Sequence, residues 1–148
     1  MTFRQYLRYS RNPKELVDIM MAIIEGILQI HCMGYAHRDL KPENIVLNLN
    51  PLEVKIIDFD RARLFATSSK GSALGTPGYF PVVYEWPDGS KAWDTWAFVA
   101  ILCEADMKHD EYFGTQTEAD CKQRMRNHLA RKKTSQILRD IVEHVVLI

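Results

Sequence analysis

The sequence predicts an α+β fold that is mostly helical and contains one short β-hairpin. Apolar residues keep helical spacing across residues 13–32 and again across residues 93–105. Two short runs rich in β-branched residues, 45–47 and 54–57, are typical of paired strands. The chain has 148 residues, of which 47% are hydrophobic, so we expect a single domain spanning residues 1–148 with its own core.

The first predicted helix, residues 13–32, has a start and a stop signal. Asn12 suits the N-cap and Pro13 suits the first turn, while Gly34 suits a left-handed stop. Its apolar residues extend around most of the circumference, which predicts a helix inside a core. These residues are Leu16, Val17, Ile19, Met20, Met21, Ile23, Ile24, Ile27, Leu28 and Ile30.

The predicted hairpin joins its two strands across residues 48–53, with Pro51 in the turn. Residues 61–91 are rich in serine, glycine and proline and are predicted to be a long loop, which is usually functional. After the helix at residues 93–105, two more helices are expected at about 118–132 and from 135 to the end.

Four polar residues around the hairpin have the side chains that phosphoryl transfer needs. Asp39 can accept the proton of an attacking hydroxyl, and Lys41 can neutralise charge on the phosphoryl group. Asn44 and Asp58 carry hard oxygen ligands of the kind that magnesium prefers. They are therefore candidate catalytic and metal-binding residues.

The motif that contains these residues resembles a known family. Residues 37–47 read H-R-D-L-K-P-E-N-I-V-L and resemble the catalytic loop of eukaryotic-type protein kinases, while Asp58-Phe59-Asp60 resembles the magnesium-binding D-F-G. The resemblance implies a protein kinase-like C-lobe in which the hairpin carries the catalytic loop, within residues 35–47, and the metal-binding loop. Residues 58–83 would then form the activation segment.

The resemblance also implies roles for individual residues. Lys41 marks the serine/threonine branch, and Thr76 resembles the threonine that contacts both Asp39 and Lys41 in that branch. Arg38 resembles the arginine that pairs with a phosphorylated activation segment. Asp94 resembles a buried carboxylate that accepts backbone N–H groups of the catalytic loop.

Magnesium and ATP are the expected cofactor and co-substrate. Catalysis is assigned to Asp39, Lys41 and Asn44, whereas Lys41, Asn44 and Asp58 are expected to contact the magnesium-bound nucleotide. The residues before His37 contain no glycine-rich phosphate loop. We therefore expect the N-terminal lobe to be missing, ATP binding to be weak and the isolated chain to be inactive.

Some positions depart from the family pattern. Asp60 replaces the glycine of D-F-G, which predicts that a residue with a side chain must adopt a left-handed backbone. Val82 and Val83 replace the proline and glutamate that anchor the activation segment, and Val99 replaces a glycine. These departures and the missing lobe keep open a catalytically dead kinase-like binding or scaffold module (a pseudokinase). A small-molecule phosphotransferase is a further alternative, because that family uses a loop with a similar His-x-Asp-(x)4-Asn pattern.

Charge and composition bound the partners. The 19 basic and 19 acidic residues balance, so neither nucleic acid nor an anionic membrane is an expected partner. A protein substrate, a separate N-terminal lobe or partner chain, and self-association through exposed apolar surface are expected instead. The three widely spaced cysteines and the lack of a targeting peptide predict a reducing location, in the cytoplasm or the nucleus.

Overall fold

The fold is described from a computed structural model of the chain. The residues it describes are 1–10, 12–65, 76, 79, 91–106, 123, 127 and 130. The expectations for Val82, Val83 and most of the two later helices lie outside these residues. Gln123 and Asn127 have helical backbone, and the Gln123 amide donates a 2.9 Å hydrogen bond to Asn127.

The first element is a short helix that was not predicted from the sequence, α1 (Phe3–Tyr9). Its N-terminus is held by a capping box, in which the Thr2 hydroxyl accepts from the Gln5 N–H and the Gln5 side chain accepts from the Thr2 N–H. Phe3, Tyr6 and Leu7 are buried, so α1 is stabilised mainly by packing on the rest of the chain.

Helix α2 (Pro13–Cys32) has the predicted bounds, with the Asn12 side chain capping the N–H groups of Lys14 and Glu15. The expectation that it is enclosed on most sides is wrong. Val17, Met21 and Leu28 are more than half exposed. The strands Tyr35–Ala36 and Leu52–Ile56 and the helix Lys91–Asp106 pack instead on the face of α2 formed by its buried residues. Those buried residues are Ile19, Met20, Ile23, Ile27 and Ile30. The exposed stripe is one surface for the predicted self-association, which stays a prediction.

Two antiparallel pairs follow α2. Strand β1 (Tyr35–Ala36) pairs with β4 (Arg63–Leu64), and β2 (Ile45–Leu49) pairs with β3 (Leu52–Ile56). The hairpin is confirmed, with a shorter turn than predicted at Asn50 and Pro51. The prediction that residues 61–91 lack regular structure is wrong for β4, whose two residues are held by cross-strand hydrogen bonds to β1.

Helix α3 (Lys91–Asp106) completes the described fold. The core forms where α1, α2, the hairpin and α3 meet, and Val99 lies within it at 1% exposure. In the described part of the chain, no helix is both long and apolar enough to cross a membrane.

Candidate active site

The predicted catalytic loop enters the site through a sharp turn at Gly34. Gly34 has a φ of 85°, in the left-handed region that favours glycine, and its N–H bonds the His31 carbonyl at 3.0 Å. The chain then passes through β1 and the polar residues 37–41 to a 3₁₀ turn, Pro42–Asn44, that leads into β2. The loop is therefore fixed at both ends by regular structure.

Asp94 fixes the backbone of the predicted catalytic loop. Its side chain is fully buried in the first turn of α3 and accepts hydrogen bonds from the backbone N–H groups of His37 at 2.8 Å and Arg38 at 2.9 Å. His31, at the end of α2, contacts the same carboxylate through Nε2 at 2.8 Å. The predicted contacts of Asp94 with the loop are confirmed.

His37 has a structural role in the loop. Its Nε2 lies 2.9 Å from the Ile57 carbonyl oxygen, and its Nδ1 lies 3.2 Å from the Asp39 N–H. A carbonyl only accepts and an amide N–H only donates, so the hydrogen bonds require a neutral ring with the proton on Nε2. Phe59 packs edge-on against the ring at 4.9 Å. His37 thus links the loop to the chain after β3.

The carboxylate of Asp39 is the centre of the site. Asp39 is 8% exposed and is contacted by three side chains, two from its own loop and one from the segment after β4. Thr76 donates to Oδ1 at 3.0 Å, while Lys41 and the Asn44 amide both lie 3.3 Å from Oδ2. Asn44 also donates to the Asp39 carbonyl at 2.9 Å. The carboxylate is therefore held in one orientation.

Thr76 joins the loop to the segment after β4. Its hydroxyl accepts from the Lys41 ammonium at 2.8 Å and donates to Asp39. The predicted contact of this threonine with both residues is present. Gly75, Pro77 and Gly78, which stand beside Thr76 in the sequence, lie outside the described residues.

The candidate metal ligands are brought to the same end of the hairpin. Ile45 pairs with Ile56, and the Ile57 N–H bonds the Asn44 carbonyl at 2.9 Å, so Asp58 follows the residue bonded to Asn44. The Asn44 amide nitrogen faces Asp39, which leaves Oδ1 as its ligand atom. Asn44 and the exposed Asp58 offer the hard oxygens that fit magnesium, which takes its remaining ligands from water and phosphate. The described residues contain no cluster of three or more histidines, cysteines or acidic residues that could hold a metal.

The left-handed backbone expected at Asp60 is found at Asp58 instead, with a φ of 64°. Asp60 lies in a turn closed by a 3.0 Å hydrogen bond from the Ala62 N–H to the Phe59 carbonyl. A turn of this kind can accept residues with side chains at its central positions, so glycine is not required there. The prediction for Asp60 was wrong, since it assumed the backbone of a D-F-G glycine.

The side chain of Arg38 is buried rather than exposed at the surface of the loop. It has a φ of 69°, is 5% exposed, and places its guanidinium 5.5 Å from the centre of the Trp93 ring. This is cation–π geometry, which stabilises a buried cation against an aromatic face. Pairing of Arg38 with a phosphorylated residue stays a prediction. The possible phosphate acceptors in the predicted loop at residues 61–91, Thr67, Ser68, Ser69 and Ser72, lie outside the described residues.

A second polar cluster, which was not predicted from the sequence, lies beside the site. Arg4 of α1 contacts Glu43 of the loop, Glu104 of α3 and the hydroxyl of Tyr79. Burial raises the pKa of Tyr79 above its ordinary value, and the adjacent Glu104 carboxylate raises it further. The cluster joins residues far apart in sequence, and no local motif marks it.

Comparison with known proteins agrees with the motifs. A family model described as protein kinase domain matches residues 2–145. Calcium/calmodulin-dependent protein kinase type 1B of Homo sapiens is 34% identical over 112 residues, which cover 70% of this chain and 32% of that protein. A probable casein kinase II subunit alpha homolog of Encephalitozoon cuniculi is 28% identical over 110 residues, covering 72% of this chain and 34% of the relative.

Serine/threonine-protein kinase chk1 of Schizosaccharomyces pombe is 45% identical over 85 residues, covering 54% of this chain and 17% of that protein. The chain therefore spans about a third, or less, of the length of these curated relatives.

Proposed function

Because the chain belongs to the protein kinase family, of the eukaryotic serine/threonine type, we propose that it forms the part of a serine/threonine protein kinase that carries the catalytic residues. The reaction is transfer of the γ-phosphoryl group of ATP to a hydroxyl of a protein. One observation carries the proposal: the Asp39 carboxylate is held at once by Lys41, Asn44 and Thr76.

Asp39 acts as the proton acceptor. Its two oxygens are acceptors fixed in one orientation, which is what a general base needs in order to meet an incoming hydroxyl. Fixing the reacting groups in line is a large part of phosphoryl-transfer catalysis, because positioning can contribute about 7–11 kcal/mol. Asp94 and His37 hold the backbone that carries this carboxylate.

Lys41 and the two oxygen ligands serve the phosphate groups. The Lys41 ammonium lies 3.3 Å from the base and can stabilise charge on the phosphoryl group as the hydroxyl attacks. Asn44 Oδ1 and the Asp58 carboxylate would hold magnesium, which neutralises negative charge on the phosphates when bound. In this proposal the substrate is a protein, as the serine/threonine relatives imply by their names.

Activity of the isolated 148-residue chain is proposed to be very low. None of its described residues forms a glycine-rich loop to cover the phosphates, a part that protein kinases use. A lobe that supplies this loop, in the same polypeptide or as a partner, would complete the ATP-binding site.

Complementation tests the proposal. The chain is joined to an N-terminal lobe from a serine/threonine kinase relative, and phosphorylation of serine- and threonine-containing peptides is measured with labelled ATP and magnesium. We expect labelling by the fusion, little by the chain alone, and a loss of at least about 100-fold in Asp39→Asn. Asp18→Asn, which changes an exposed carboxylate on α2, is the matched control and should keep full activity.

Two other results would contradict the proposal. A fusion that binds ATP and does not label any peptide would favour the non-catalytic module. Labelling of choline or an aminoglycoside in place of peptides would favour the small-molecule phosphotransferase.

A further inference from the structure

Arg4 connects three parts of the molecule that surround the candidate base. We propose that Arg4 is a positioning residue for Asp39. The Arg4 guanidinium holds the catalytic loop and the segment that carries Thr76 at a fixed separation. The inference rests on the proposed function, since it assigns Arg4 a part in orienting the base of that reaction. Arg4 itself contacts neither the substrate nor the reacting atoms in this proposal.

Arg4 contacts the catalytic loop directly. Arg4 Nε donates to Glu43 Oε1 at 2.8 Å. Glu43 lies in the 3₁₀ turn immediately before Asn44, and Asn44 donates to both the carboxylate and the carbonyl of Asp39. A shift of the turn at Glu43 therefore moves one of the three groups that orient the base.

Arg4 also contacts the segment that carries Thr76. Arg4 Nη2 donates to the Tyr79 hydroxyl at 2.8 Å, and the Tyr79 N–H bonds the Thr76 carbonyl at 3.1 Å. Thr76 in turn donates to Asp39 and accepts from Lys41. The same guanidinium thus reaches the base from both sides, through Asn44 and through Thr76.

Glu104 fixes the position of the Arg4 guanidinium. The guanidinium pairs with Glu104 of α3 through Nη1 and, at 3.4 Å, through Nη2, and Tyr79 donates to the same carboxylate. The Arg4 and Glu104 side chains are 13% and 6% exposed, so water screens the pair only weakly. Nε bonds Glu43, Nη1 bonds Glu104, and Nη2 bonds Tyr79 and Glu104, a set of contacts that a lysine with one nitrogen cannot reproduce.

A double-mutant cycle on the 148-residue chain tests the connection without reference to activity. Arg4→Lys, Thr76→Ala and the double variant are unfolded in urea. Residues in one network deviate from additivity, so we expect the double variant's unfolding constant to differ at least about threefold from the product of the single effects. The same cycle with Arg8→Lys, a change at an exposed arginine of α1, should be additive. Additivity in the Arg4 cycle would overturn the proposal.

The fusion with an N-terminal lobe tests the effect on the base. Because misplacement of about 1 Å can cost 100-fold, we expect Arg4→Lys to lower kcat by about 10- to 100-fold. The KM for ATP should change little, and Arg8→Lys should match the unchanged protein. Normal kcat in a folded Arg4→Lys fusion would refute positioning even if the cycle shows coupling. A fusion inactive without any substitution would count against the proposed function alone, and the cycle would still decide on the Arg4 connection.

Discussion

At the scale of single residues, Asp94 shows how one buried carboxylate can fix a catalytic loop. It satisfies the N–H groups of His37 and Arg38, which no strand or helix pairs, and it also contacts His31. Arg38 adopts a left-handed backbone between these contacts, and the two hydrogen bonds help to offset the cost of that conformation. The loop geometry therefore depends in part on a residue of α3.

Asp94→Ala should destabilise the chain strongly. It leaves two buried backbone N–H groups without their acceptor, so we expect the free energy of unfolding to fall by about 2–5 kcal/mol. Urea unfolding followed by circular dichroism measures the change, and Asp18→Ala on the exposed side of α2 should stay within about 0.5 kcal/mol. A loss below about 1 kcal/mol in Asp94→Ala would show that the loop has other adequate acceptors.

At the scale of elements, the signals with a physical cause inside the element were predicted well. Helix α2 has its cap at Asn12 and its stop at Gly34, and both act on backbone groups that the helix itself leaves unpaired. Strands β1 and β4 have two residues each, too few for an alternating pattern, and exist because they pair with each other. Helix α1 had a visible signal in Thr2 and Gln5, but its stability comes from distant packing partners.

Two glycine substitutions should separate backbone strain from packing. At Gly34 a Cβ would meet nothing within 4 Å, yet φ is 85°, so Gly34→Ala should cost about 1–2 kcal/mol. At Gly26, inside α2, a Cβ would lie 3.1 Å from the flexible end of Ile56, and the gain in helix propensity is about 1 kcal/mol. We therefore expect Gly26→Ala to be close to neutral in urea unfolding. Equal losses in both variants would contradict this explanation.

At the scale of the whole molecule, the site is assembled by contacts between residues far apart in sequence. Thr76 reaches Asp39 across 37 positions, and Arg4 reaches Glu104 across 100. The residues of the loop could be predicted because their spacing resembles a known motif. The partners Arg4, Tyr79 and Glu104 could not, since a local pattern does not specify which distant charges meet.

The stability of the whole chain should fall in alkali because of its buried tyrosines. Burial raises the pKa of Tyr6 to about 12, helped by its hydrogen bond to Glu15, and Tyr79 shifts in the same direction. The unfolded chain loses these protons near the ordinary pKa of 10.0, while the folded chain retains them, so stability declines above about pH 10. Each tyrosine adds up to about 1.4 kcal/mol per pH unit to this decline.

Urea unfolding between about pH 9.5 and 11.5 measures the decline. The double variant Tyr6→Phe, Tyr79→Phe should show a shallower dependence on pH, whatever its stability at neutral pH. Tyr9→Phe changes a side chain that is 85% exposed and should keep the original slope. An unchanged slope in the double variant would mean that the two hydroxyls ionise as readily in the folded chain as in the unfolded one.

The hydrogen bonds between Met1 and Leu47 have a practical consequence for the fusion with an N-terminal lobe. The Met1 nitrogen donates to the Leu47 carbonyl at 2.9 Å, and the Leu47 N–H donates to the Met1 carbonyl at 2.7 Å. The first residue therefore runs along the edge of β2. An amide nitrogen can make the same bond as the terminal amine. Polypeptide attached there departs from the hairpin that follows the catalytic loop, and a short tether would give the attached domain a high effective concentration near the loop.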